Sequence, residues 1–594
     1  MTTMTSKRVL DMSYAELTRW WESYRESMLG WAYLTEPSPK LMTTLYAQMV
    51  VEGSIPDSKE NILACERHLK DLKRQGTDDF PWVFDEEKAW RPIRFIEKKC
   101  KPSKGSLRRL VLQPWQHFIV GSLFGWVHKD TGIRRFREGL VFVARKNGKT
   151  TLESGLADYM AGFDHEQGAN VYFLANSQKQ SRILFEESKA MIKSSPYLSK
   201  RFVPLNSEIR FPKTNSTIVA MSAEKNNKDG ENLHFAVFDE IHEYQDYALI
   251  NVMKRSRGMR RQPLIIYITT AGYVLDGPLM DYIDNANDCL ENYDDHIDER
   301  TFYYIAKLDK VDEMDDVEQW VKANPNICLM SMVDTITDFR KDRKNPQELA
   351  DWITKQFNIF SNTDELSFVD TETINRNNRV IDLAELDGRK CVGGYDLSET
   401  EDFTAASLEF PMDDGSIFIL EKSWIPQTRY NSDKNPRRLD VWIKQGLLEV
   451  IPGDYVKYEY VYEWFVEMSK KYEISSIRYD KAKALFLNGS LEEYGFNTQE
   501  VRQGFVTLGG PMQNFKELLL DGKVIFNRQR MFRWYLNNVH MERDRNGNWL
   551  PTKRNRKRKI DGFASVLNSH VDVIDMLIRP GKTGDIHYVS FNDL

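Results

Sequence analysis

The chain has 594 residues, 41% of them hydrophobic and 29% charged, enough for roughly three to four domain-sized units with packed cores. It has no run of about eighteen apolar residues, so no membrane span is expected. Met1 to Asp11 lacks the apolar centre of a secretory signal, so the chain is expected in the cytoplasm. The formal net charge of -6 does not by itself mark a nucleic-acid binder, but charges segregate, and local runs carry more information. Five cysteines (Cys65, Cys100, Cys289, Cys328, Cys391) stand singly, which excludes a zinc knuckle and a disulfide framework.

Residues 1 to 90 read as a helical lead-in. Tyr14 to Leu29 and Ser58 to Leu72 space their apolar residues by three and four. From residue 91 to 365 apolar runs alternate with helical stretches. Gly139–Val143, Asn170–Leu174, Phe235–Phe238 and Leu264–Ile268 are near-continuous apolar runs, as parallel strands buried on both faces require. A three-layer α/β domain follows, with residues 276 to 365 expected as helix and loop. Residues 366–390, with Asn375 to Arg379 at their centre, read as a linker. A second α/β domain is expected over 391–579, and 580–594 as a tail.

Val141 to Thr150 is a strand entering a Gly-Lys-Thr turn and then a helix. That arrangement fits a phosphate loop. Backbone N–H groups of Arg145, Lys146, Asn147 and Gly148 would wrap the phosphates, Lys149 would reach the β/γ oxygens, and Thr150, followed by Thr151, would ligate Mg²⁺. The usual first glycine is replaced by Val143. Phe235 to Glu240 is an apolar strand ending in two acids, expected beside the loop strand. Asp239 would hold Mg²⁺ and Glu240 polarise the attacking water. His242-Glu243 has no second histidine at helical spacing, which excludes a zinc protease. Upstream, Gln116 lies among Trp115, His117 and Phe118, an amide with aromatics suited to adenine. Downstream, Thr269-Thr270-Ala271-Gly272 closes a strand with small residues able to sense the γ-phosphate.

In the second domain three acids are spread over two strands and a helix start: Asp396 after Gly393-Gly394-Tyr395, Asp480 after Ile474 to Tyr479, and Asp561 in Ile560-Asp561-Gly562. Such a triad can hold two divalent ions, Mg²⁺ or Mn²⁺, one to activate water and one to steady the leaving oxygen. Asp402 and Asp575 are accessory candidates. Arg543 to Trp549 carries an Asn-Gly hairpin signal and leads to Lys553-Arg554-Asn555-Arg556-Lys557-Arg558-Lys559, a basic run placed to hold DNA phosphates.

The order Trp-Gln, Ala-Arg-Lys-Asn-Gly-Lys-Thr, Asp-Glu-Ile-His-Glu, Thr-Thr-Ala-Gly, then Asp-x-Ser and Ile-Asp-Gly, resembles the large terminase subunits of tailed double-stranded DNA bacteriophages. The resemblance implies a P-loop ATPase domain followed by an RNase H-like nuclease, ATP-driven DNA packaging and cutting of concatemers. It implies adenine contact by Gln116, pairing of Arg145 with Glu240, and coupling through Thr269 to Gly272. A phosphate-stabilising arginine is also implied, for which Arg255, Arg257, Arg260 and Arg261 are candidates. Partners implied are duplex DNA, a portal protein, a small terminase subunit and further copies in a ring on the procapsid. A helicase or resolvase, and a non-catalytic prophage remnant that binds without turnover, are the alternatives.

Overall fold

The computed structural model describes residues 9–103, 109–222, 232–272, 277–291, 293, 298–360, 368–369, 371–397, 403–432, 436–481, 485–543, 549–553 and 559–578. The chain divides into two compact units, Met1–Ser361 and Asn362–Leu594. All five cysteines are free and buried. Among the described residues no helix is long and apolar enough to cross a membrane.

After its N-terminal helices the first unit has a small ribbon, β1 (Trp82–Phe84) against β2 (Trp126–His128). Its main sheet comprises β3 (Glu138–Phe142), β4 (Asn170–Ala175), β5 (Val203–Pro204), β6 (Glu208–Phe211), β7 (Ser216–Ser222), β8 (Leu233–Asp239), β9 (Leu264–Thr269) and β10 (Thr301–Ile305). Their spatial order is β10-β3-β9-β8-β4-β7-β6-β5, parallel from β10 to β7 and antiparallel at the β6 and β5 edge. Two expectations change here. β10 lies inside the stretch expected to be helix and loop. The loop strand β3 and the acidic strand β8 are not neighbours, because β9 lies between them.

The N-terminal helices belong to this unit's core. Tyr46, Ala47, Val50 and Cys65 are buried in one cluster with Phe118, Val141 and Phe302. The helix Lys59–Arg74 also closes the sheet edge. Asn61 Oδ1 accepts from Ile305 N at 2.6 Å, and Ser58 Oγ donates to Ile305 O, so β10 presents fewer open groups for unwanted pairing.

The second unit is built on β11 (Lys390–Asp396), β12 (Thr404–Pro411), β13 (Ile417–Pro426), β14 (Leu448–Ile451), β15 (Glu473–Tyr479), β16 (Thr498–Glu500) and β17 (Val524–Ile525). The order is β14-β13-β12-β11-β15-β16, with β17 also on β13. β11, β12 and β13 run antiparallel in sequence, and β15 and β16 add in parallel beside β11. This is the RNase H-like arrangement the sequence led us to expect. The last helix, Asp561–Ile578, packs on β11 and β12. Gly394 permits that approach: a Cβ there would stand 2.1 Å from Ser565 O. A separate hairpin pairs β18 (Val539–Arg543) with β19 (Trp549–Lys553). The described residues of the stretch 366–390 do not run free as a linker. Phe368, Val369 and Ile374 are buried in this unit's core, and so is Leu386.

Candidate functional sites

In the first unit the loop between β3 and the helix Lys149–Gly162 turns through two left-handed residues, Lys146 (φ 66°) and Gly148 (φ 79°). Asn147 fixes the turn from inside, its Nδ2 donating to Ala144 O at 3.1 Å and Asn324 Oδ1 at 3.2 Å. Asn326 answers from outside: its N donates to Asn147 Oδ1 at 3.0 Å and its Nδ2 to Asn147 O at 2.7 Å. Trp115 Nε1 in turn holds Asn326 Oδ1 at 2.8 Å. Asn324 and Asn326 were missed in the sequence, since nothing local marks an asparagine that braces a loop far upstream.

Lys149 is buried and donates to Val143 O at 3.1 Å, while Thr150 opens the helix half-buried. Asp239 ends β8 and Glu240 follows it, and both act electrostatically on Lys149. Burial and the Glu240 charge push Asp239 up to about 7. Burial would also raise Glu240, but the His242 ring nitrogen 3.0 Å away and the charge of Lys149 hold it down at about 2. Glu240 sits in left-handed backbone, φ 50°, a conformation costly for a residue with a Cβ and often found at functional sites. Glu153, one turn into the helix, is fully enclosed and faces the same charges. Burial and Asp239 raise its carboxyl well above the usual range. Sequence reasoning missed it, because it reads as an ordinary helix position. Burial favours the neutral forms of Asp239 and Glu153, so Glu240 is the acid whose charge chiefly faces the buried Lys149.

Several sequence-derived roles need correction. Glu240 pairs with His242 Nδ1 at 3.0 Å, not with Arg145, whose side chain is exposed. Gln116 is buried, and its Oε1 accepts from Gln113 N at 2.9 Å to begin the helix Pro114–Gly125, leaving only its amide nitrogen for a base. Arg257 bonds Glu138 at the start of β3, Arg260 bonds Gln167 O, and Arg261 bonds Thr131 O. These three, with Arg255 on the same segment, lie toward the strand starts, about 15 Å from the loop by the length of β3. They do not reach the phosphate position of their own chain.

Thr269 and Thr270 are fully buried at the end of β9. Thr269 O accepts from Val143 N at 3.0 Å, and Ala271 N donates to Asn358 Oδ1 at 2.6 Å. The segment thus touches the phosphate loop directly.

In the second unit Asp396 and Asp480 stand at the ends of neighbouring parallel strands, one step beyond the Tyr395–Tyr479 pair, with backbones about 5 Å apart. Asp561 is buried at the start of the last helix, which is tied to β11 by Asn568 Nδ2 on Tyr395 O at 3.1 Å. The charges of Asp396 and Asp561 both bear on the buried Tyr535 hydroxyl, and so does that of Glu421. Glu421 was not foreseen, being one acid inside the apolar run of β13. Register places it on the Asp396 face of the sheet, through the Ala405–Asp396 and Ala405–Ser423 pairs. Its Oε1 accepts from Ser423 Oγ, and its Oε2 is buried without a hydrogen bond. Among the described residues no three His, Cys, Asp or Glu side chains stand close enough to hold a metal ion. Asp402 and the basic residues Arg554, Arg556, Lys557 and Arg558 lie outside the described residues; Lys553 ends β19, with no side-chain placement. Asp575 lies on the last helix, more than three turns from Asp561.

A parallel-sheet nucleotide site in one unit and an acid-edged RNase H-like sheet in the other define an ATPase joined to a nuclease. The family model for the terminase large subunit ATPase domain matches residues 114–288, and that for its endonuclease domain matches 295–574. The second match begins inside the first compact unit and takes in β10. The terminase large subunit of Enterobacteria phage HK97 is 26% identical over 81% of this chain and 94% of its own. The protein YmfN of Escherichia coli K12 is 27% identical over 57% of this chain and 77% of its own. The crystal structure of the HK97 bacteriophage large terminase aligns over 82% of this chain and 99% of that one, at TM-score 0.46 and 23% identity. The chain belongs to the terminase large subunit family, which packages phage DNA with ATP and cuts it endonucleolytically.

Proposed function

We propose that ATP with Mg²⁺ is bound by the loop Arg145–Thr151, with Lys149 on the β/γ oxygens, Thr150 and Asp239 as the metal's protein ligands, and Glu240 orienting the attacking water. The observation that carries this is the burial of Lys149 just after the left-handed turn at Gly148, with Asp239 and Glu240 close enough to act on its charge. Arg145, exposed on the loop, is free to swing to the nucleotide, and Gln116 is left its amide nitrogen for adenine. Thr269 to Gly272 carry the change at the phosphates into movement of duplex DNA.

In the second unit Asp396, Asp480 and Asp561 would hold two ions of Mg²⁺ or Mn²⁺, and Glu421 with its buried Oε2 supports a cation near Asp561. Bound metal would supply an activated water and charge for the leaving oxygen. The basic run Lys553 to Arg558 would lie along the DNA backbone. The family membership supports, as partners, a portal protein, a small terminase subunit and further copies in a ring on the procapsid, in the host cytoplasm.

Crossed substitutions test the two sites. Asp396→Ala should abolish plasmid cutting in Mg²⁺ or Mn²⁺ and leave ATP hydrolysis intact. Lys149→Ala should do the reverse. Cutting that survives Asp396→Ala would remove the nuclease assignment, and hydrolysis that survives Lys149→Ala would remove the motor assignment.

A further inference from the structure

One imidazole touches both the acid assigned to hydrolysis and the segment assigned to movement. Because β9 lies between β3 and β8, its end stands beside Glu240. His242 follows in the short turn Ile241–Glu243. Its backbone N donates to Thr269 Oγ1 at 3.2 Å. Its ring Nδ1 lies 2.9 Å from that same oxygen and 3.0 Å from Glu240 Oε2. The Thr269 hydroxyl already donates to Thr270 O at 3.0 Å, so its oxygen can only accept. A carboxylate can also only accept. Nδ1 therefore carries the proton and directs it at Thr269 Oγ1, while Glu240 Oε2, buried without a hydrogen bond of its own, lies 3.0 Å from the same nitrogen.

The far side of the ring is closed by Gly272. A Cβ at Gly272 would stand 2.5 Å from His242 Cδ2 and 2.9 Å from Cγ, so the glycine is required by the ring. Glu240 also receives a backbone hydrogen bond from Thr270. The acid is thus tied to Thr269 and Thr270 by one side chain and one main-chain group, in a backbone conformation that disfavours it.

We propose that His242 is a positioning residue: anchored to Thr269 by its Nδ1–H, it holds the Glu240 carboxylate 3.0 Å away against the end of β9, so that the water-orienting acid and Thr269–Gly272 move as one. The inference rests on the roles proposed above for Glu240 and that segment. A histidine needed only for packing would require ring volume; this one requires a donor at Nδ1.

The test is steady-state ATP hydrolysis by the full chain. His242→Asn keeps an amide nitrogen near the Nδ1 position, His242→Gln moves it one carbon outward, and His242→Ala removes it. Ala and Gln should lower kcat about tenfold or more with little change in KM for ATP, and Asn should recover most of the loss. Gly272→Ala, which drives the ring away, should lower kcat alone but add nothing to His242→Ala. Plasmid cutting and melting temperature report on folding of each variant. Glu240→Gln is the reference. If it hydrolyses ATP normally, the role of Glu240 fails and the inference falls with it. If it is inactive while His242→Ala and His242→Gln turn over normally, the inference alone is overturned. Losses that multiply in the His242/Gly272 double variant, or an Asn variant as slow as Ala, overturn it too.

Discussion

At the scale of single residues, both sites are governed by how burial treats charge. Glu421 lies fully enclosed on β13, and burial together with the Asp561 charge pushes its carboxyl up to about 8. In the unfolded chain the same group ionises near 4.5. The folded form therefore holds a proton that the unfolded form gives up across that window. Stability contributed by the neutral acid is present below about 4.5 and is lost as pH rises through about 8. Glu421→Gln, which keeps the shape without the ionisation, should flatten the fall in the second unit's melting temperature over this range. The comparison belongs in chelator, so that bound metal does not offset the charge. An unchanged slope would show that Glu421 ionises in the folded protein as freely as in the unfolded one.

At the scale of elements, the last helix shows how sequence pattern and contact divide the work. Its amphipathic run and the acid at its start were legible, and so were β3, β8 and β9, because apolar runs ending in chemistry-bearing residues are local signals. What fastens the helix was not legible. Glu409 on β12 is buried with His570, whose Nδ1 lies 2.6 Å from Oε1, and Ser569 Oγ donates to Oε2 at 3.0 Å. Nothing near Glu409 in sequence announces partners so far downstream. Glu409→Ala should cost about 3 kcal/mol, read by denaturant or thermal unfolding, because it removes the partner of a buried histidine nitrogen. Arg257, Arg260 and Arg261, after the helix Ala248–Ser256, illustrate the opposite error: they were legible as charge, but only their partners near the strand starts showed that they lie away from the phosphate loop. Asn324, Asn326 and Glu153 stayed hidden for the same reason as Glu409, since their roles exist only once distant strands are adjacent.

At the scale of the whole molecule, two compact units each carry one site, so damage should stay local. Gly394→Ala would set a methyl 2.1 Å from Ser565 O and force the last helix off β11. The cost should be about 3 kcal/mol, in the range of forced overpacking. Calorimetry should then show one transition lowered and the other unmoved, with ATP hydrolysis retained and DNA cutting lost. A single transition that shifts as a whole would mean the units unfold together.

The pairing of β10 with β3 also bears on how the chain is made. Thr301 aligns with Glu138, so the strand that feeds the phosphate loop has an open edge until the ribosome has released the residues of β10. β9, on its other side between β3 and β8, leaves the ribosome earlier. Such distant partners make closure slow and leave an adhesive edge on the nascent chain. Synthesis that stalls between Thr269 and Thr301 should therefore yield an aggregation-prone intermediate. The helix Lys59–Arg74, emerging long before, already carries Ser58 and Asn61 to seal that edge once β10 arrives.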